Sequence, residues 1–105
     1  MKLWIDDVRP APAGYTWCKT VDQAKQQIEE CEYMYKASNK KEFWTIEIID
    51  TDHDAGDYGP PDYIELLNWL EETGRSYPIR IHSMNPIGRG NMRRIIRKNG
   101  WKEIL

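Results

Sequence analysis

Three short segments carry the side chains that could do chemistry. They are Ile5–Arg9 (IDDVR), Asp50–Asp54 (DTDHD) and Ile81–Asn85 (IHSMN), and each follows a run typical of a β-strand. In an open parallel sheet the carboxyl ends of the strands share one edge, where ligands bind. We therefore expect carboxylates, two imidazoles, a hydroxyl and a guanidinium to meet at one site, which suits phosphate chemistry assisted by a divalent cation.

Carboxylates of the first two segments are the candidate metal ligands, namely Asp6, Asp7, Asp52 and Asp54. Mg²⁺ binds few carboxylates and keeps several waters, so Mg²⁺ or Mn²⁺ is the expected cofactor. The acidic pair could instead be a solvated turn, and Asp50 and Asp54 could equally be turn formers. An EF-hand is excluded, because Ala55 and Pro61 would occupy its glycine and glutamate positions.

The candidate catalytic residues are His53, His82, Asp52 and Ser83. The two histidines are the only ones in the chain, and each lies beside acids or a hydroxyl. We expect at least one of them to act as an acid or a base. Asp52 is the best candidate for a metal ligand or a nucleophile. Ser83 could orient a phosphoryl oxygen or simply bond to the backbone.

The candidate phosphate-binding residues are Arg9, Asn85, Gly88 and Arg89. The planar guanidinium of Arg9 suits phosphate, although a surface charge is an equal alternative. An Asn-Pro step followed by glycine indicates a helix start, whose free amides and partial positive charge attract anions. The segment is not a P-loop, because the Gly-Lys-Ser/Thr ending is absent.

Alternating strand and helix patterns predict one α/β domain spanning the whole chain. The predicted strands are Lys2–Ile5, Tyr15–Cys18, Phe43–Ile49, Pro78–Ile81 and Trp101–Leu105.

A helix is predicted in each of the three segments that connect the second strand to the third, the third to the fourth and the fourth to the fifth. Thr20 with Gln23 forms a capping-box pattern, and an apolar face follows it. Asp62 is the expected cap of a second helix that ends at Gly74. The third helix is expected to begin at Asn85-Pro86, with Ile87, Met92, Ile95 and Ile96 facing the sheet.

Charge is segregated along the chain. Glu42–Gly74 contains ten acids and no Lys or Arg, whereas Arg75–Lys102 contains eight bases and no acid. The two blocks could be solvated faces, or they could hold a cation and receive an anionic ligand. No apolar run reaches the roughly 20 residues that span a bilayer, and no signal peptide is evident. We expect a cytoplasmic protein, with Cys18 and Cys31 as free thiols.

Together these segments resemble the cyclic-phosphate-processing receiver domains, a bacterial family related to response-regulator receiver domains. The resemblance rests on KLWIDDVRP, YTWCKTV, DHDxG and, most specifically, IRIHSMNPIG. It implies a three-layer, flavodoxin-like domain whose mainly parallel five-stranded sheet has the order 2-1-3-4-5. It also implies that the Pro10–Gly14 loop replaces the first receiver helix.

The resemblance also implies roles for single residues. Asp6 and Asp7 correspond to the acidic pair of receivers, Asp52 to the phosphoacceptor region and Ser83 to the switch hydroxyl. The residues that set the family apart are His53, Asp54, His82 and Asn85. An ordinary receiver has a lysine at the end of its fifth strand, whereas Lys102 begins that strand here, which argues against phosphorylation-driven switching.

The function expected from these residues and from the resemblance is metal-assisted processing of cyclic phosphates by a phosphoesterase-type hydrolase or a phosphotransferase. The expected partner is a phosphorylated nucleotide or an RNA end that carries a 2′,3′-cyclic phosphate. Two alternatives stay open: a non-catalytic receiver-like sensor that reports a phosphorylated ligand to a protein partner, and a degenerate phosphoacceptor domain. The sequence leaves the oligomeric state open.

Overall fold

The structure is a computed structural model that describes residues 1–105. Its strands are β1 (Lys2–Ile5), β2 (Tyr15–Cys18), β3 (Ile48–Thr51), β4 (Ile79–Ile81) and β5 (Glu103–Ile104). Its α-helices are α1 (Val21–Ala37), α2 (Ile64–Glu72) and α3 (Pro86–Asn99). The strands are parallel in the order β2-β1-β3-β4-β5, so the predicted receiver-like α/β fold is confirmed. A loop that contains Pro10–Gly14 joins β1 to β2 without a helix, as predicted.

The hydrophobic core lies on one face of the sheet. Fully buried strand residues pack there in a single cluster with the buried residues of all three helices. Because side chains alternate along a strand, Trp4, Asp50 and Arg80 lie on the opposite face, where they pair in register. The three helices therefore share one face. The predicted third layer is absent, because the loop that replaces the first helix leaves the other face without one.

Helix α1 begins as its sequence predicted. The Thr20 hydroxyl accepts a hydrogen bond from the Gln23 amide (3.0 Å), and the Gln23 side chain accepts one from the Lys19 amide (2.8 Å). These bonds satisfy amides that the first turn of a helix leaves without partners. Its buried residues are Val21, Ala24, Ile28 and Cys31. Cys18 and Cys31 are buried free thiols, as expected.

Three of the predicted strands are shorter than expected; the fourth lacks only Pro78, and the third ends at Thr51 instead of Ile49. The third begins at Ile48, not at Phe43, and Glu42–Trp44 forms a 3-10 turn. The ladder with β1 runs from Lys2 opposite Ile48 to Ile5 opposite Thr51, and before it Met1 bonds to Thr45 and Glu47 outside the ladder register. The fifth strand is limited to Glu103–Ile104 because β4 pairs with it over only two positions.

Two helix predictions are also wrong. Asp62 does not cap α2; its Oδ1 accepts a hydrogen bond from the Ala55 amide (3.0 Å) and so closes the preceding loop. Ile87 is 76% exposed and does not face the sheet. It lies in the first turn of α3, before the helix reaches the core that Met92 and Ile96 enter. None of the helices is long and apolar enough to cross a membrane.

Candidate functional site

Side chains from three strand ends meet at the carboxyl edge of the sheet. Asp6 follows β1, Asp52 follows β3 and His82 follows β4. One ligand-type atom from each of these residues lies within 4.8 Å of the other two. We call these three residues the inner cluster. The structure thus brings together groups that are far apart in the sequence, because the three strands are neighbours in the sheet.

Asp6 is the buried anchor of the inner cluster. Its Oδ1 accepts hydrogen bonds from the backbone amides of Val8 (2.9 Å) and Arg9 (2.8 Å), and its Oδ2 lies 2.8 Å from Nε2 of His82. Burial disfavours the charged carboxylate, but these hydrogen bonds outweigh it and hold the pKa of Asp6 below its ordinary value. Asp6 therefore stays ionised within a buried setting.

His82 is enclosed on three sides. Its Nε2 faces Asp6, its Nδ1 lies 2.7 Å from Oδ1 of Asp50, and its ring stacks on Trp4 with centroids 3.9 Å apart. Asp50 also receives a hydrogen bond from Arg80 (3.1 Å). Both ring nitrogens of His82 are therefore engaged with carboxylates, and both would donate if each carried a proton.

Asp7 and Arg9 lie beside the inner cluster with opposite charges. Burial and the negative charges of Asp6 and Asp52 raise the pKa of Asp7. The Arg9 side chain lies 3.6 Å from Asp6 and 3.8 Å from Asp52, which is beyond hydrogen-bond length. The carboxylates thus outnumber the single cation near them.

Gly56 makes room for Asp7. Its φ of 55° is in the left-handed region, and a methyl group added there would collide with the Asp7 carboxylate. The loop after β3 therefore closes over Asp7 only because residue 56 has no side chain.

A second group of side chains lies next to the inner cluster. We call His53, Asp54 and Asp62 the outer cluster, because their ligand-type atoms also lie within 4.8 Å of one another. Nδ1 of His53 is 2.8 Å from Oδ1 of Asp54, and Asn85 Nδ2 donates to both Asp54 oxygens at 3.4 and 3.5 Å. Nε2 of His53 makes no hydrogen bond within the chain, so this nitrogen is free to act on a ligand.

The predicted phosphate-binding residues are only partly brought together. Asn85 caps α3, and its Oδ1 accepts hydrogen bonds from the amides of Ile87 (3.1 Å) and Gly88 (3.0 Å). The amide of Arg89 bonds to the Asn85 carbonyl (2.9 Å). The amides expected to bind an anion are thus already satisfied, and the Arg89 side chain is exposed without an ion pair.

Ser83 bonds to the backbone, which is the second of the two roles predicted for it. It is 3% exposed, and its hydroxyl oxygen accepts a hydrogen bond from the Asn85 amide (3.1 Å). The hydroxyl thus shapes the turn that leads from β4 into α3.

Half of the bases in the segment Arg75–Lys102 are engaged with acids of the protein itself. The paired bases are Arg75, Arg80, Arg93 and Lys98, which contact Glu32, Asp50, Glu103 and Glu71. Although the charges are segregated along the sequence, the fold brings four of these bases to acids that partly neutralise them.

Sequence reasoning missed the roles of Asp50 and Trp4. Asp50 is 2% exposed and its Oδ1 contacts Nδ1 of His82, although the sequence pattern was equally consistent with a turn former. A signal was present in the sequence. Asp50 pairs in register with Arg80, and side chains two residues apart share a face of a strand, so His82 lies on the same face as Asp50 and Arg80.

The inner cluster fits a divalent cation. The carboxylates of Asp6 and Asp52, with that of Asp7 nearby, are donors of the kind that Mg²⁺ and Mn²⁺ accept, whereas both nitrogens of His82 already face carboxylates. The raised pKa of Asp7, caused by burial and then by Asp6 and Asp52, shows crowded negative charge that a cation would relieve. None of the four surface cavities is lined by the inner cluster, whose side chains are 1% (Asp6), 13% (Asp52) and 6% (His82) exposed.

A family model described as "Cyclic-phosphate processing Receiver domain" matches residues 1–98. No curated protein and no solved structure gives a significant match.

Proposed function

The chain belongs to the family of cyclic-phosphate processing receiver domains, and on that premise we propose that it is an enzyme that processes cyclic phosphates with a divalent metal ion. The reaction would be that of a phosphoesterase or a phosphotransferase. One observation carries the proposal: ligand-type atoms of Asp6, Asp52 and His82 lie within 4.8 Å of one another at the sheet edge, and His53, the residue after Asp52, has a ring nitrogen without a hydrogen bond.

Three carboxylates are assigned to the metal ion: Asp6, Asp7 and Asp52. A bound Mg²⁺ or Mn²⁺ would polarise a phosphoryl oxygen and lower the pKa of a bound water. Asp54, also predicted as a ligand, contacts His53 and Asn85 and not the inner cluster. We assign it instead to orient His53.

His53 is the group that would move a proton. Its Nδ1 is held by Asp54, so Nε2 is the nitrogen that can accept a proton from water or donate one to a leaving oxygen. A histidine oriented by a carboxylate through its other nitrogen is a recurrent arrangement in acid–base catalysis. His82 has no free nitrogen, and we assign it to hold Asp6 in place.

Arg9 is the candidate for binding the phosphate. Its side chain is 47% exposed and faces Asp52 without a close hydrogen bond to it, and Nη1 donates only one long hydrogen bond, to the His82 carbonyl (3.5 Å), so donors of the guanidinium are available to an anion. The planar fork suits two phosphoryl oxygens. The ligand would approach from the side of the exposed Arg9, and it would be either the end of an RNA strand with a 2′,3′-cyclic phosphate or a mononucleotide.

The test uses an RNA oligonucleotide that ends in a 2′,3′-cyclic phosphate. Purified protein is incubated with it in Mg²⁺, in Mn²⁺ and in a chelator, and the end group is read by mass spectrometry. We expect the cyclic end to open with metal only, and Asp52→Asn to abolish the change. Asp57→Asn is the matched control, because Asp57 is an exposed carboxylate of the same loop without a hydrogen-bond partner. An unchanged end group with both metals would contradict the proposal.

A second candidate function is a non-catalytic sensor that binds a phosphorylated ligand and reports it to a protein partner. The full engagement of both His82 nitrogens supports it, because it leaves His53 as the one histidine that could move a proton. Calorimetry with a cyclic nucleotide separates the two functions. Tight binding without turnover, undiminished when both histidines are replaced by alanine, would identify the sensor.

A further inference from the structure

Gly88 lies in the first turn of α3, where the His53 ring rests against the helix. Gly88 is buried, and the three atoms nearest to a methyl group added there all belong to that ring. The added carbon would lie 2.7 Å from both Cδ2 and Nδ1 of His53, although carbon atoms in contact are about 3.5 to 4.0 Å apart. The imidazole therefore occupies the space that any larger residue at position 88 would need.

The backbone at Gly88 gives no other reason for glycine. Gly88 is absent from the residues with positive φ, so its conformation is open to every residue. Glycine in a helix interior is unfavourable relative to alanine. Gly90, two residues further along α3, has nothing within 4 Å of an added methyl group. Contact with His53 thus distinguishes the two glycines.

We propose that Gly88 is a positioning residue for His53, a role that rests on the proposed function in that His53 is the group that moves the proton. Without a side chain at position 88, the ring lies flat against α3 with Nδ1 turned towards Asp54. Asn85 completes the arrangement, because its side chain caps the Gly88 amide (3.0 Å) and also donates to Asp54 (3.4 Å). Gly88 therefore supports the site through its missing side chain and not through an amide offered to phosphate.

Nuclear magnetic resonance of the histidine rings tests the position directly. The chain has two histidines, so it gives two Hε1 ring signals, and His53→Ala identifies them. We expect Gly88→Ala to shift the His53 signal and leave the His82 signal in place. Gly90→Ala is the matched control and should move neither signal. A His53 signal that Gly88→Ala moves no more than Gly90→Ala does would overturn the proposal.

Thermal unfolding in two backgrounds covers the case in which Gly88→Ala folds poorly. In the wild-type background this variant should lower Tm, because the methyl group and the ring compete for one space. In the His53→Ala background it should raise Tm, as Gly90→Ala does in either background, because alanine favours the helix. An equal loss of Tm in both backgrounds would reject the role of the ring. Neither readout requires turnover, so an inactive protein with a shifted ring signal would reject the proposed function and retain this inference.

Discussion

The imidazole of His82 lies flat on the indole of Trp4, with ring centroids 3.9 Å apart and planes 5° from parallel. The indole in turn donates a hydrogen bond to the Arg9 carbonyl (2.9 Å), which ties the β1–β2 loop to the same stack. Stacking fixes the plane of the imidazole, and Asp6 and Asp50 fix its rotation within that plane. The two histidines of the chain are thus in different settings: His82 is held in place, and His53 keeps one nitrogen free.

Replacing His82 should cost far more stability than replacing His53. His82→Ala leaves Asp6 and Asp50 as buried carboxylates without their shared partner, and breaking such a pair costs about 3 to 5 kcal/mol. His53→Ala removes one hydrogen bond to the exposed Asp54, worth about 1 kcal/mol, and the ring's contact with Gly88, but it leaves no buried charge without a partner. Urea unfolding of the two variants measures the difference. Equal losses in the free energy of unfolding would show that His82 is not the structural link between the strands.

Asp7→Asn should stabilise the metal-free protein. Burial and the charges of Asp6 and Asp52 raise the pKa of Asp7, so its ionised form destabilises the fold and stability rises as the pH falls through that raised pKa. Removing the charge should increase the free energy of unfolding at neutral pH by roughly 0.5 to 1 kcal/mol. Thermal unfolding without metal measures this gain.

The same variant should respond less to metal. Saturating Mg²⁺ stabilises a protein that binds it only when folded, and Asp7→Asn lacks one of the proposed ligands. The variant's Tm should therefore rise by less than the wild type's when Mg²⁺ is added, while Asp57→Asn should behave as the wild type does. A rise in Tm as large as that of the wild type would remove Asp7 from the metal site.

Acid should destabilise the protein partly through Glu32. Burial opposes its charge, but hydrogen bonds from Arg75 (2.9 and 3.0 Å) and from the Tyr77 hydroxyl outweigh burial and lower the pKa of Glu32. A lowered pKa gives stability that is present above the ordinary value of 4.5 and is lost as the pH falls through the folded value. Glu32→Gln should cost about 1 to 2 kcal/mol at neutral pH and progressively less below the ordinary value.

Urea unfolding at neutral pH and in acid measures this dependence. Glu30→Gln is the matched control, because Glu30 is an exposed carboxylate on the same helix that makes no ion pair. A cost of Glu32→Gln that stays constant as the pH falls would contradict the assignment to the carboxylate charge.

The strands and the meeting of their ends could be predicted from local rules, whereas the order of the strands in the sheet came from the family resemblance. Apolar runs that end in acids marked β1 and β3, and the parallel arrangement placed their ends at one edge. The Thr20 cap needed only residues within one turn. The start of β3 was not predictable in this way, because it depends on where β1 offers partners and not on the strand propensity of Phe43.

The pairing of side chains within the site needed three-dimensional information. The sequence allowed Asp50 and Asp54 equally to be turn formers. In the structure Asp50 is buried and contacts His82, whereas Asp54 is exposed and contacts His53. Gly88 looked like part of an anion site, but the Asn85 cap takes up its amide. Such outcomes depend on the distance between elements, which composition and spacing do not encode.

The central claim is that the inner cluster opens a cyclic phosphate with the help of a metal ion. Phosphorus magnetic resonance of a nucleoside 2′,3′-cyclic monophosphate tests it most directly, with wild type, Asp52→Asn and Asp57→Asn each run with Mn²⁺ and with chelator. We predict that the cyclic signal is replaced by a monoester signal for wild type and Asp57→Asn with Mn²⁺ only. A cyclic signal that persists in every sample, or that disappears equally with Asp52→Asn, would contradict the account.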